Sequence, residues 1–321
     1  MENTKVTFKS SKRSLRLKTF LLIGLLSLLI PNLIRAESLR VKNSRLEVSF
    51  SGSFNQEQRQ MLLGWIKEMA TSVTDIYGEF PLDRAKVKLV RSYSWREPVP
   101  WGEVQRWQQS QVVLHVNPEF GYQRVRGDWT AVHEMSHLLL PYAGERGRWL
   151  SEGLASYYQN IARGNSGLLS EKETWQKLFH GFRRGERSSK RYPQPLSKVT
   201  RRRGSTMRIY WSGAAYFLKV DLALRQASNG NQSLPTVLKQ YKDCCLPNHR
   251  PTSALSIVSK LDELSGTGIF SKEYEQIIHS KVFPDYRSAF EDLGIKLGWG
   301  GVSFTVDPTK EQLRRAIVKS D

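Results

Sequence analysis

Cysteine is almost absent. The 321-residue chain holds two, Cys244 and Cys245, and they are neighbours. Adjacent cysteines cannot staple distant segments, so a disulfide framework is excluded, and with it a zinc site built on cysteine. Buried thiols are the default expectation for the pair, with a vicinal bridge or an intermolecular link as alternatives. Acidic residues are also scarce: 30 against 49 Lys and Arg, a formal net charge of +19. Histidine occurs only six times. Internal repeats and low-complexity tracts are lacking. With 39% hydrophobic and 25% charged residues, the chain has apolar content for a sizeable core and no signature of global disorder.

Long apolar runs are missing except at one place. Lys9, Lys12, Arg13, Arg16 and Lys18 precede an apolar stretch from Phe20 to Ile34, which small Ala36 closes. That order reads as a secretory signal over residues 1–36, cut after Ala36. The competing reading is an uncleaved membrane anchor, but the run is short for a span and Pro31 and Asn32 interrupt it. The expected location is therefore exported, periplasmic or secreted. Residues 1–36 carry seven Lys and Arg and one acid, which leaves +13 on the remainder. For an exported chain this surplus suits acidic peptides or envelope polyanions, and nucleic acid is not expected. A solvated basic surface without a partner is the plain alternative.

Beyond the leader, Leu46, Val48 and Phe50 alternate as in a strand. Asn55 caps a helix, with Gln58 three residues on, and Leu62, Trp65, Ile66, Met69 and Val73 recur at helical spacing. Val87 and Leu89 mark a second strand, and Val112, Leu114 and Val116 a third. Pro98 and Pro100 lie in a loop. Helices are then expected from Asp128 to Pro141, Arg148 to Arg163, Glu171 to Phe182 and Thr206 to Ala227, with shorter ones near 234–243, 252–264, 271–280 and 284–294. Residues 183–203 crowd Arg and Lys around Pro193 and Pro195. They read as a basic solvated loop, with an anionic envelope surface as its candidate partner.

The chemistry centres on His133-Glu134-Met135-Ser136-His137. Residues i and i+4 of a helix lie roughly 40° apart around the axis and about 6 Å along it. Both imidazoles therefore project from one face and can share an ion. Glu134 can reach a water on that ion without being a ligand, as a general base must. A peptidase zinc needs a third protein ligand and an open position. Asp128, Glu145 and Glu152 are the acids in reach. Glu152 is placed best, because its helix follows a short loop and can pack beside the first.

The motif followed by Trp149-Leu150-Ser151-Glu152-Gly153-Leu154-Ala155 resembles the gluzincin (MA-like) clan of zinc metallopeptidases, closest to the group that includes glycyl aminopeptidase-type enzymes. The resemblance implies that Glu152 is the third zinc ligand, joining His133 and His137. It covers residues 110–225 best. Tyr210-Trp211-Ser212-Gly213-Ala214 is similar to the clan's Tyr-x-Lys-Gly-Ala segment, which implies an oxyanion-steadying hydroxyl at Tyr210. Ser212 stands where that segment has Lys. The resemblance also implies that strand 112–116 is the edge that pairs with substrate. The Gly-x-Met-Glu-Asn segment that grips the amine in large clan aminopeptidases is not found; Gly102-Glu103-Val104 lies in its region. Aminopeptidase specificity is accordingly unsupported.

The expected architecture is α+β. A small mixed sheet packs on the zinc helix, and an all-helical C-terminal part follows. The expected segments are 1–36 (signal), 37–120, 121–228 and 229–321. The expected activity is hydrolysis of peptide bonds with Zn2+ as cofactor and Glu134 as base. A catalytically silent binding or scaffolding protein of the cell envelope is the alternative.

Overall fold

The computed structural model describes residues 36–106, 109–199, 205–246 and 252–319. The expected signal segment, except Ala36, lies outside the described residues, as do Arg201 to Arg203 and His249. No helix among the described residues is long and apolar enough to cross a membrane.

The chain opens with strands β1 (Glu37–Val41) and β2 (Ser44–Ser51), paired antiparallel. Helix α1 (Gln56–Thr74) follows. The Asn55 side chain accepts from the Gln58 amide at 2.8 Å, and Gln58 returns a bond to the Asn55 amide. This capping box satisfies two amides that the first turn leaves open. Leu62, Trp65, Ile66, Met69 and Val73 are fully buried on the inner face, each contributing about 1.5–3 kcal/mol. Then come β3 (Arg84–Arg91), β4 (Trp101–Arg106) and β5 (Ser110–Val116). The sheet order is β1-β2-β3-β5-β4. The two inner pairings are parallel and the two outer ones antiparallel. The sheet is small and mixed, as expected.

One expectation is corrected. Strand 112–116 is not an edge. β5 is enclosed between β3 and β4, and Val112, Val113 and Leu114 are all buried, as a strand covered on both faces requires. The edge on this side of the sheet is β4, in register from Trp101 opposite His115 to Arg106 opposite Ser110. Sequence periodicity missed β4 because none of its residues is fully buried. It is a strand through its backbone pairing with β5.

The rest is largely helical. A short helix α2 (Gly121–Arg126) leads to α3 (Thr130–Ser136), continued as 3-10 turn over His137–Leu139. Helix α4 (Arg148–Asn165) is buried from Trp149 to Gly164. It is flanked by α5 (Glu171–Arg191) and α6 (Thr206–Ala227). Here a second correction applies: residues 183–191 are not loop but the last turns of α5. Arg and Lys are good helix formers. Gly181, Phe182, Gly185, Ser188 and Ser189 supply a buried stripe of mostly small residues, and Lys190 and Arg191 sit favourably at the C-terminal end of the dipole.

The chain continues through α7 (Leu234–Cys245), α8 (Ala254–Ser265), α9 (Ile269–Ile278) and α10 (Arg287–Asp292). The expected all-helical C-terminal part is corrected by a hairpin of β6 (Ile295–Gly298) and β7 (Gly301–Phe304), held by antiparallel backbone pairing with Ile295 and Val302 buried, and α11 (Pro308–Ile317) closes the described chain. The end returns to the core: Asn165 exchanges hydrogen bonds with Ile317 O (3.2 Å) and the Lys319 amide (2.9 Å). Residues 36–319 thus form one packed body. Cys244 and Cys245 are joined to each other, at the outward C-terminal turn of α7. The expectation of buried thiols is therefore replaced by a vicinal bridge.

Candidate metal centre

Three elements converge at one end of a cleft of about 820 Å³. Helix α3 presents His133 and Glu134, and the 3-10 turn that continues it presents His137. Helix α4 presents Arg148 and Glu152. The N-terminal end of α6 presents Tyr210. Asp128 accepts a hydrogen bond from the Thr130 amide at 2.7 Å, so it serves the start of α3 and is not in the cluster. The tight contact of α4 with α6 depends on two glycines. A Cβ on Gly153 would lie 2.3 Å from the Gly213 Cα, and one on Gly213 would lie 2.0 Å from the Trp149 carbonyl. Hydrogen alone fits at both places, which brings the start of α6 down onto Glu152.

The predicted triad is brought together. Glu152 Oε2 lies 3.4 Å from His133 Nε2 and 3.5 Å from His137 Nε2. All three donor atoms fall within 4.8 Å of one another. A tetrahedral zinc with bonds of about 2.0–2.1 Å spaces its ligand atoms about 3.4 Å apart, which the two Glu152–imidazole separations match. Two further observations bear on the fit. Glu152 Oε2 is buried with no hydrogen-bond partner, a costly state unless a cation satisfies it. His133 Nδ1 lies 2.8 Å from Gln159 Oε1. A carboxamide oxygen only accepts, so Nδ1 is the donor in this contact and Nε2 is the nitrogen that faces the site.

Burial works against the Glu152 charge, yet the neighbouring His133 and His137 outweigh it and hold the carboxyl well below the usual carboxylate range. Burial likewise works against a charged His133, but Glu152 and Glu134 more than offset it, and the imidazole pKa is raised. The other oxygen of Glu152 is held separately: Arg148 approaches Oε1 with Nη2 at 3.0 Å and Nε at 3.2 Å. The carboxylate is thereby split, Oε1 to arginine and Oε2 to the histidine pair.

Glu134 is buried, and desolvation pushes its carboxyl up. It packs against the edge strand, where a Cβ on Gly102 would meet Glu134 Cγ at 2.6 Å. Tyr210 stacks on His133, ring centroids 5.7 Å apart, with its hydroxyl among Glu152 and Arg148. Burial and then the Glu152 charge raise its pKa, so it remains a protonated donor. Trp101 to Val104 of the β4 edge, Trp129 and Tyr142 also line the cleft. Arg106 closes one end, donating to the His137 and Leu140 carbonyls. His115, His180 and His279 lie outside the cluster.

Sequence reasoning missed Arg148, Gln159 and the β4 edge. The first two had a signal: Arg148 is four residues before Glu152, and Gln159 seven after, on the same face of one helix.

No protein-family model and no curated protein matches this sequence. Solved structures do match in fold. An aminopeptidase N family protein from Idiomarina loihiensis aligns with 81% of this chain and 49% of its own, at 17% identity and TM-score 0.61. A two-domain M1 zinc metallopeptidase bound to L-arginine aligns with 78% of this chain and 52% of its own, at 16% identity and TM-score 0.52. The chain therefore has the fold of a gluzincin peptidase domain and spans about half the length of these structures.

Proposed function

We propose that this protein is an exported zinc metallopeptidase, with His133, His137 and Glu152 as metal ligands and Glu134 as general base. The observation that carries the reading is the 3.4–3.5 Å spacing of one unpartnered carboxylate oxygen from two imidazole nitrogens. The neighbours' description as zinc metallopeptidases supports it. A zinc ion held there would supply Lewis acidity and would lower the pKa of a bound water.

The protein's own groups do the rest. Glu134, its affinity for protons raised by burial, takes a proton from the attacking water and returns it to the departing amine. The Tyr210 hydroxyl donates to the oxyanion that forms at the scissile carbonyl. The free β4 edge offers backbone groups to an extended peptide, which adds there as a further strand. Gly102 lets that edge lie against the Glu134 side chain, so the peptide passes over the base. The substrate class is peptide or protein; the site surroundings select neither exo- nor endopeptidase action. The sequence pattern of residues 1–36, a basic stretch followed by an apolar run, supports a periplasmic or secreted location.

The test combines metal analysis with a peptide-library digest, with and without chelator. The wild type is expected to hold zinc and to cut peptides only without chelator. Glu134→Gln should keep the zinc and lose at least about 100-fold in turnover. A zinc-loaded wild type that cleaves no peptide would overturn the peptidase reading in favour of a silent binding protein. Full activity in Glu134→Gln would overturn the assigned base.

A further inference from the structure

We propose that the exposed face of α5, with Trp299 beside it, docks the protein onto a lipid bilayer carrying anionic headgroups. The proposal is independent of the metal centre. At 3.6 residues per turn, Lys177, Arg183, Arg184, Arg187, Lys190 and Arg191 fall within roughly 140° of arc, and all six are exposed. Together they form one cationic stripe along the last four turns of a rigid helix.

Its own helix partners only one charge of this stripe, that of Lys190. α5 has three carboxylates, and only Glu186 reaches the stripe. Glu171 pairs with Arg314 at 2.6 Å, Glu173 closes the capping box with Ser170, and Glu186 pairs with Arg287 at 3.1 Å and Lys190 at 3.4 Å. Among the described residues, Lys177, Arg183, Arg184, Arg187 and Arg191 form no ion pair. Their mutual repulsion registers on their neighbours: partial burial, then Arg184, Arg183 and Lys177, depress the His180 pKa. An anionic surface would relieve that repulsion.

The second observation points to a bilayer and not to a soluble polyanion. Trp299 stands at the tip of the β6–β7 hairpin, 110% exposed against the reference residue. The hairpin is fastened to α5, since the Gln176 side chain accepts from the Val302 amide at 2.7 Å. Trp299 shares a concavity with Lys172, His180 and Arg183, so the indole projects beside the stripe. An indole next to clustered cations matches the membrane interface, where aromatic rings sit at headgroup level and Lys and Arg meet anionic lipid.

The experiment is vesicle co-sedimentation of the full chain, on phosphatidylcholine vesicles with and without phosphatidylglycerol, at low and high salt. Using the full chain in every arm keeps residues 1–36 constant, so differences between variants report on α5. Partitioning of the wild type should rise steeply with phosphatidylglycerol and fall with salt. The triple variant Arg183→Gln, Arg187→Gln, Arg191→Gln should weaken it on the order of 100-fold, and Arg187→Gln alone about fivefold. Trp299→Ser should weaken it at both salt concentrations. Thermal melts establish that each variant is folded. Folded variants of the stripe that partition like the wild type would overturn the proposal. So would a Trp299→Ser variant with unchanged partitioning, together with full displacement of the wild type by inorganic polyphosphate. That outcome would assign the stripe to soluble polyanions instead.

Discussion

Glu152 illustrates how much a single side chain depends on its neighbours. A free carboxylate in this cavity could face the histidines with either oxygen or with both. Arg148 removes that freedom by taking Oε1 with two nitrogens, and Gln159 does the equivalent for His133 by fixing its tautomer. Partners of this kind hold metal ligands in place, and their loss typically costs 10–100-fold in affinity. Arg148→Met is expected to weaken zinc binding by about that factor, read by competition with a chromophoric chelator. Arg148→Lys, which restores the charge but not the two-pronged contact, should recover part of the loss. Unchanged affinity in Arg148→Met would mean that the helix alone orients Glu152.

At the scale of elements, the site is a consequence of close approach. α4 and α6 meet at Gly153 and Gly213, and this contact sets Tyr210 against Glu152 and His133. Gly213→Ala would drive a methyl into the Trp149 carbonyl, which cannot retreat because it belongs to a buried helix. It is expected to cost about 1–3 kcal/mol or more, seen as a lower Tm, and to reduce turnover more than zinc affinity, because Tyr210 moves with α6. Gly64→Ala, on exposed α1 backbone with nothing within 4 Å, is the control and should be neutral or slightly stabilising. A Gly213→Ala protein with the melting point and activity of the wild type would show that the helices have slack. The β4 edge belongs to this scale too. It came to light only through pairing, since Trp101, Glu103, Gln105 and Arg106 do not alternate as strand residues usually do.

For the whole molecule, a metal held by His133, His137 and Glu152 would link two consecutive segments of the packed body, α3 and α4, across the turn at 140–147. An ion that binds the folded state alone stabilises it by about 2.7 kcal/mol at a hundredfold excess over Kd. At roughly 2–4 °C per kcal/mol for a domain of this size, a chelator should lower Tm by about 5–10 °C. Glu152→Ala should melt at one temperature with or without chelator. A wild type indifferent to chelation would speak against a bound metal of any kind.

Much of this was legible in the sequence, for reasons that can be named. The His133–His137 spacing is a property of any helix, and the Asn55–Gln58 box is local, so both could be read before any packing was known. Buried strands with strict alternation, such as β3, were equally plain. The features that escaped reading depend on partners distant in sequence. β4 exists because β5 accepts it, residues 183–191 are helical because Phe182, Gly185 and Ser188 find a surface to bury against, and the Gly153–Gly213 contact joins positions sixty residues apart. The chain alone thus determined which side chains could hold a metal, because that follows from local periodicity. Only the tertiary structure decided which oxygen of Glu152 faces it and which strand lies open to a peptide, because packing between distant segments selects both.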